Sequence, residues 1–433
     1  MTKLEIGDKI EIKTQDKTYL GTFMDSPEKD AIIIKLNSGY NIGFDKKKIK
    51  DMKVVKKKKI TKKEEKTKIK IKKNLKTISI LHTGGTIASK VDYETGAVSS
   101  KFTPKDILKM FPELENIVNI KSRLVRNMAS DDMRFAHYNI LAKEIKKEIK
   151  NGTDGIIITH GTDTMHYSSA ALSFALEDLP IPVILVGSQR SSDRGSSDAA
   201  LNLISACYFI SKTDFSEVAI CMHYNMSCEK CVVLPGTKCR KMHSSKRAAF
   251  KAINDTPWAI INTQKNKIDF LKFDYKKTDK KRELKLKLFK ENLKIGIVKS
   301  HPQMFASELN PYEKFDGLVL EGTGLGHFPI TELDEFTQEH KKIFNKLKSL
   351  SKKIPIVMST QTINGRLQMN VYSPGRVIQD QCNVLGNFSD MTPETTFIKL
   401  GWLLSNEQKK IKELITENLR GEINSRSLNE YYD

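Results

Sequence analysis

The sequence predicts an α/β protein in which a small N-terminal β-barrel precedes a core of two parallel α/β domains. Three observations carry this expectation. Residues 4–55 alternate apolar and polar positions with a period of two, residues 56–75 are dominated by lysine, and from Lys76 onward strands alternate with helices. At 433 residues and 39% hydrophobic content, the chain is long enough for two or three domains, each with a core of its own.

Within the first segment, the predicted strands are Ile6 to Ile12, Tyr19 to Phe23, Ala31 to Leu36 and Tyr40 to Phe44. Asp25-Ser26-Pro27 and Asn37-Ser38-Gly39 supply turns between them. Lys56 to Lys73 has no apolar period with which to bury surface, so it reads as an exposed linker. A polybasic linker can also contact RNA. In the core, strand Ile78 to His82 runs into Thr83-Gly84-Gly85-Thr86. Strand Gly155 to His160 runs into Gly161-Thr162-Asp163-Thr164 and a helix through Leu176. Strand Val183 to Gly187 precedes a polar loop and a helix from Asp198 to Ile210, and Glu217 to Met222 completes the set. After a lysine-rich connector, the strands Ile295 to Lys299, Gly317 to Leu320 and Ile354 to Met358 and a helix from Glu332 to Leu350 make the second unit. Thr392-Pro393 reads as an N-cap and first helical position for a helix to Leu404, and Ser405 with Gln408 as a capping box for a last helix ending near Gly421. The expected division is therefore a barrel over 1–55, a linker over 56–75, α/β domains over 76–275 and 276–405, and a C-terminal helix and tail over 406–433.

The bulk numbers narrow the class. No apolar run approaches the roughly 20 residues of a membrane-spanning helix, and the N-terminus has no signal-peptide h-region, so the expectation is a cytoplasmic protein with no membrane association. Six cysteines without framework spacing fit reduced thiols. The net charge of +21 favours an acidic partner such as nucleic acid. Most of it is lysine, which equally reflects a compositional bias and lacks the planar fork with which arginine grips phosphate.

Two turns carry the chemistry. Leu81-His82-Thr83-Gly84-Gly85-Thr86-Ile87-Ala88 and Ile158-Thr159-His160-Gly161-Thr162-Asp163-Thr164 each place hydroxyls just past a buried strand, where Gly85 and Gly161 let backbone approach a ligand closely. Ligands of α/β sheets bind beyond the carboxyl ends of the strands, where both turns lie. A threonine hydroxyl is a useful nucleophile only when its proton is removed and the resulting oxyanion stabilised. A lysine in Lys238-Cys239-Arg240-Lys241-Met242-His243 follows the fourth strand, and Asp, Thr and Lys in contact make a proton-transfer unit if the lysine is kept out of water.

The motifs TGGTIA and HGTDT, in this order and at this spacing, resemble the signatures of the L-asparaginase/glutaminase family, a likeness covering roughly residues 77–405. The resemblance implies that Thr86 is the nucleophile and that Tyr93, in Asp92-Tyr93-Glu94-Thr95-Gly96, helps activate it from a mobile lid. It implies further that Thr162, Asp163 and Lys241 form a supporting triad, that Asp163 grips the substrate ammonium, and that Ser130 takes the substrate carboxylate. Asp131 stands where the free asparaginases carry Gln for substrate contact. The N-terminal barrel, Gly236 to His243, Gln361 to Arg366 and Met369 to Arg376 resemble, within that family, the GatD subunits of archaeal glutamyl-tRNA(Gln) amidotransferases. That likeness implies hydrolysis of glutamine and transfer of ammonia to a partner, GatE, which activates the glutamyl group of Glu-tRNA(Gln) with ATP and amidates it to Gln-tRNA(Gln). It implies no cofactor in this chain, ATP and Mg2+ in the partner, tRNA contact mainly through the partner, and a homodimer core in a larger hetero-oligomer.

Plainer readings stand beside these. Both threonine turns can be ordinary strand ends with helix-capping residues, and Ser130 can cap a helix beginning at Asp131. A free-standing cytoplasmic L-asparaginase is the alternative function, although it leaves the N-terminal segment unexplained. A catalytically dead RNA-binding scaffold conflicts with the intact Thr86, Thr162, Asp163 and Lys241. His82 and His160 lack a third ligand at zinc spacing and read as packed strand-end residues, so no metal is assigned. Cys221, Cys228, Cys231 and Cys239 read as a hairpin with free thiols, and Gly322-Thr323-Gly324-Leu325-Gly326 as a tight strand-end turn.

Overall fold

The computed structural model describes residues 4–5, 7–24, 30–36, 41–57, 71–85, 90–91, 98–99, 103–104, 107–108, 111–190, 197–227 and 229–427. Thr86, Tyr93, Cys228, most of the lysine-rich linker and the turns at 25–27 and 37–39 lie outside the described residues.

The N-terminal unit consists of β1 (Lys9–Lys13), β2 (Thr18–Met24), β3 (Ala31–Leu36), β4 (Asn41–Asp45) and β5 (Asp51–Lys56). All neighbours pair antiparallel, in the order β4-β3-β2-β1-β5. The period-two pattern works as expected: Ile10, Ile12, Ile32, Ile34 and Phe44 form one buried cluster. Among the described residues, however, no ladder joins β4 to β5, so the unit is an open sheet and not the closed barrel that the alternation predicted. Alternation specifies which face is buried. Closure depends on hydrogen bonds between the two edge strands, which that pattern does not encode.

The core is built on an eight-stranded sheet. Its strands are β6 (Thr77–His82), β7 (Asn119–Leu124), β8 (Gly155–Thr159), β9 (Val183–Val186), β10 (Val218–His223), β11 (Cys231–Pro235), then, beyond the short hairpin of β12 (Cys239–Lys241) and β13 (Phe250–Ala252), β14 (Ala259–Asn262) and β15 (Lys267–Phe270). The order is β15-β14-β11-β10-β9-β8-β6-β7. The half from β7 to β10 is parallel, and β11, β14 and β15 add antiparallel strands at the other edge. The sheet is therefore mixed, and β10 does not complete it. The later strands are joined by turns and by the β12–β13 hairpin, without the helical crossover that a parallel neighbour requires.

Helices α1 (Phe135–Lys150) and α2 (Met165–Ala175) cover one face of this sheet, and α3 (Ala199–Lys212) covers the other. On β8, Ile156 and Ile158 enter one cluster and Ile157 the opposite one, which explains an unbroken apolar strand where a half-exposed one would alternate.

The second unit is a parallel three-stranded sheet of β16 (Ile295–Lys299), β17 (Gly317–Gly322) and β18 (Ile356–Thr360). Its core takes residues from α4 (Gln338–Leu350) and α5 (Ser373–Cys382). Helix α4 starts later than the expected Glu332, because Thr337 Oγ1 accepts from Leu333 N and Asp334 N at 2.8 and 2.9 Å and holds that segment in a turn. Helix α6 (Pro393–Asn406) begins as predicted, with Thr392 Oγ1 accepting from Thr395 N at 3.3 Å. It joins the two units: Ile398, Leu400 and Trp402 share a cluster with Phe174 of α2 and with Val319 and Val357 of β17 and β18. Ser405 does not open a new helix. It lies inside α6 and donates to Gly401 O at 2.7 Å, and a 3-10 turn (Gln408–Lys410) and one α-helical turn, α7 (Ile411–Leu414), follow.

Candidate active site

Strands β6 and β8 are parallel neighbours in register, Thr159 opposite His82, so the turns that follow them leave the same edge of the sheet side by side. Thr83 bridges them by donating from both N and Oγ1 to Thr159 O, at 3.1 and 2.9 Å. The glycines set how close the turns come. Gly85 has φ of +79°, and a Cβ on it would meet Gly161 N at 2.6 Å. A Cβ on Gly161 would meet Ser130 Cβ at 2.9 Å. Three segments distant in sequence thus touch at a point where only glycine fits. Thr86 follows Gly85 directly in the chain and lies outside the described residues, as does Tyr93.

Ser130 is buried at 4% exposure, in the loop that follows β7. Its Oγ donates to Asp131 Oδ1 at 3.3 Å, its carbonyl accepts from Thr164 Oγ1 at 2.6 Å, and Thr164 N donates to its Oγ at 3.4 Å. It begins a single 3-10 turn, Ser130–Asp132, and α1 starts only at Phe135, so it does not cap a helix at Asp131. Asp131 is exposed.

Lys241 arrives from the separate hairpin of β12 and β13. Its Nζ donates to Thr162 Oγ1 at 2.9 Å and to Asp163 Oδ1 at 2.7 Å. Thr162 is buried at 8% exposure and the Lys241 side chain is 9% exposed, whereas the Asp163 side chain is 68% exposed and faces solvent. The three residues named from the sequence are thus in direct contact. The arrangement offers a hydroxyl held by a sequestered lysine Nζ, and an accessible carboxylate beside them for a cationic group of a ligand.

The histidines beneath the turns are structural. His82 Nδ1 and Nε2 each lie 2.8 Å from a hydroxyl, Thr159 Oγ1 and Ser122 Oγ. His160 Nδ1 donates to Gly161 O at 2.6 Å, and its Nε2 lies 2.9 Å from Ser168 Oγ. Burial pushes both imidazoles down to about 4, so at neutral pH they are uncharged. Cys221 and Cys231 sit on the β10–β11 hairpin as buried free thiols, and Cys239 packs 3.9 Å from Ser169 Oγ. Among the described residues, no group of three or more His, Cys, Asp or Glu side chains could hold a metal. The segment after β17 is the tight turn expected, with Gly326 N donating to Thr323 O at 3.0 Å.

Sequence reading missed the bracket formed by Thr164 and Ser130, and it missed Glu394. The latter is a buried carboxylate whose Oε1 accepts from Arg240 Nε at 3.0 Å. Coming just after Thr392-Pro393, it is indistinguishable in sequence from a surface glutamate that complements a helix dipole.

Residues 77–273 match the family described as Asparaginase, N-terminal, and residues 294–415 the Glutaminase/Asparaginase C-terminal domain. Residues 4–55 match the GatD N-terminal domain. The GatD subunit of glutamyl-tRNA(Gln) amidotransferase from Methanococcus maripaludis strain C5 is 42% identical over 97% of this chain and 98% of its own length. The chain belongs to the GatD family of glutamyl-tRNA(Gln) amidotransferase subunits. Other GatD proteins are similar over comparable lengths: that of Pyrococcus furiosus is 40% identical over 97% of this chain and 93% of its own. The thermostable L-asparaginase from Thermococcus kodakarensis superposes with a TM-score of 0.69 at 28% identity, covering 81% of this chain and all of that one. The GatD family thus shares the asparaginase fold and adds an N-terminal domain to it. No helix among the described residues is long and apolar enough to cross a membrane.

Proposed function

We propose that this chain hydrolyses glutamine at the Thr162–Asp163–Lys241 site and delivers the ammonia to a partner, GatE, which activates Glu-tRNA(Gln) with ATP and Mg2+ and amidates it. Family membership makes the chain an asparaginase-type subunit of a multi-subunit, tRNA-dependent amidotransferase acting in translation. The finer assignments rest on the resemblance of the two threonine turns to the asparaginase signatures and on the contacts that Lys241 makes with Thr162 and Asp163. Thr86 attacks the carboxamide carbon, with Tyr93 assisting. Backbone N–H groups of the glycine turns stabilise the oxyanion, ammonia leaves, and water hydrolyses the acyl-enzyme. Lys241 takes the proton of Thr86 through Thr162, across the same 2.9 Å contact, and returns it to the departing nitrogen, which leaves as ammonia. Asp163 receives the substrate ammonium, aided by its exposure, and Ser130 with Asp131 orients the far end of the substrate. Such an enzyme works in the cytoplasm, as a homodimer core within the larger assembly.

The observation that carries this reading is the contact of Lys241 with both Thr162 and Asp163, in a chain of which 97% aligns with a GatD relative. The test is ammonia release from glutamine with and without the partner and misacylated tRNA. Activity should depend on both, and full turnover of glutamine or asparagine by the chain alone would end the coupling idea. Thr86→Val should abolish hydrolysis while partner binding persists.

A further inference from the structure

The hairpin that presents Lys241 is not part of the large sheet. Among the described residues, strand β12 pairs only with the three-residue β13, so ladder hydrogen bonds do little to fix where Lys241 lies. Side chains provide the anchors. Lys238 Nζ meets Asp390 Oδ2 at 3.0 Å, Arg240 Nε meets Glu394 Oε1 at 3.0 Å, and Lys241 Nζ meets Asp163 Oδ1 at 2.7 Å. Two of these three carboxylates come from the second unit, on and just before the first turn of α6.

Glu394 has a particular position among them. The Oε1 that accepts from Arg240 lies 3.8 Å from His166 Nε2, and His166 stands on α2, three residues after Asp163. One oxygen therefore touches the residue next to Lys241 and a residue on the helix that the Thr162 turn enters. Successive residues of a strand point to opposite faces, so Arg240 and Lys241 brace β12 from two sides. Glu394 is 6% exposed, and a carboxylate at that depth is costly unless it is paired. Burial raises its carboxyl pKa, but His166 and Arg240 outweigh burial and hold it below the usual range, so it remains an anion.

We propose that Glu394 is a positioning residue for glutamine hydrolysis: from the second unit, through Arg240 and His166, it sets the spacing between Lys241 and Thr162. This rests on the reading of Lys241 and Thr162 as a proton-transfer pair. Misplacing such a pair by about 1 Å costs on the order of a hundredfold in rate, a loss that falls mainly on kcat. The arrangement also makes the base sensitive to how the second unit docks on the first.

The test measures glutamine hydrolysis on the full chain in its complex, for E394Q, R240Q and the double variant, with thermal midpoints recorded for each. The glutamine amide keeps the shape of Glu394 and loses its charge. Each single variant should lower kcat about tenfold with KM within twofold, and the double variant should be no slower than the worse single one, because both act through one contact. A lowered thermal midpoint with kcat retained would assign Glu394 to stability alone and overturn the proposal, as would a raised KM at unchanged kcat. T162V, run in parallel, separates the two levels of argument. If T162V hydrolyses glutamine normally, the proton-transfer reading fails and this inference with it. If T162V is inactive and E394Q is normal, only the inference fails.

Discussion

Lys241 Nζ lies 2.9 Å from Thr162 Oγ1 across 79 residues of sequence, the lysine on the β12–β13 hairpin and the threonine in the turn that follows β8 of the large sheet. Lys241 also pairs with Asp163, whose side chain is mostly exposed, so the pair is screened and contributes little to stability. Lys241→Met should therefore lower kcat for glutamine hydrolysis by about 10²–10⁴-fold, the usual worth of a positioned proton-transfer group. It should shift unfolding by less than about 1 kcal/mol. Ammonia release and urea unfolding on the same preparation check both, and a large stability loss would mean that Lys241 supports the fold instead.

Gly85 lies close enough to the Gly161 turn that it has no room for a side chain. Gly85→Ala adds a Cβ 2.6 Å from Gly161 N, at a φ of +79° that alanine adopts only under strain. The expected cost is about 1–3 kcal/mol, with hydrolysis reduced because the Gly161 turn must move. Thermal denaturation and steady-state rates measure it; an unchanged midpoint and rate would show that the turns have room to part.

Lys399 and Glu422 form an ion pair at 2.6 Å with both side chains 0% exposed. Lys399→Met strands the carboxylate in the interior and should cost about 3–5 kcal/mol. Glu422 also accepts from Leu419 N at 3.0 Å, so adding Glu422→Gln should recover part of the loss by keeping an acceptor without the charge. Equilibrium urea unfolding of the single and double variants decides whether the unpaired charge is the cause.

His82 and His160 give the protein an acid-sensitive core. Their folded-state pKa values, depressed by burial to about 4, lie below the unfolded value near 6.5. Below pH 6.5 the unfolded chain binds protons that the folded chain refuses. Their contribution is thus complete above 6.5 and is lost as pH falls toward 4, by up to about 3 kcal/mol for each histidine. Urea unfolding at pH 7.0, 5.5 and 4.5 should show the decline. His160→Gln should flatten it by roughly half, and an equally steep profile in that variant would move the effect to other groups.

Much of the fold was legible because its signals are local. The unbroken apolar runs of β8 and β9 follow from burial on both faces, and the Thr392-Pro393 start of α6 follows from a cap that needs only its own turn. Where expectation and structure part, a distant partner decided. Ser405 carries a capping pattern, yet α6 continues through it because Leu403 and Leu404 are packed in the core between the two units. Strand β7, with the mixed sequence Asn-Ile-Lys-Ser-Arg-Leu, has no period of its own and is a strand because β6 offers it an edge.

By itself, the sequence determined the alternation of strands and helices, the two glycine-threonine turns, and which residues, Thr162, Asp163 and Lys241, are the candidates for the proposed proton transfer. Those depend on spacing along the chain and on the chemistry of single residues. Tertiary structure alone decided that the N-terminal sheet stays open among its described strands, that the large sheet turns antiparallel after β10, and that Glu394 braces the strand carrying Lys241. Each of these depends on which edges and which buried charges meet across the fold, and free energies of pairing between distant segments leave no periodic trace in the order of residues.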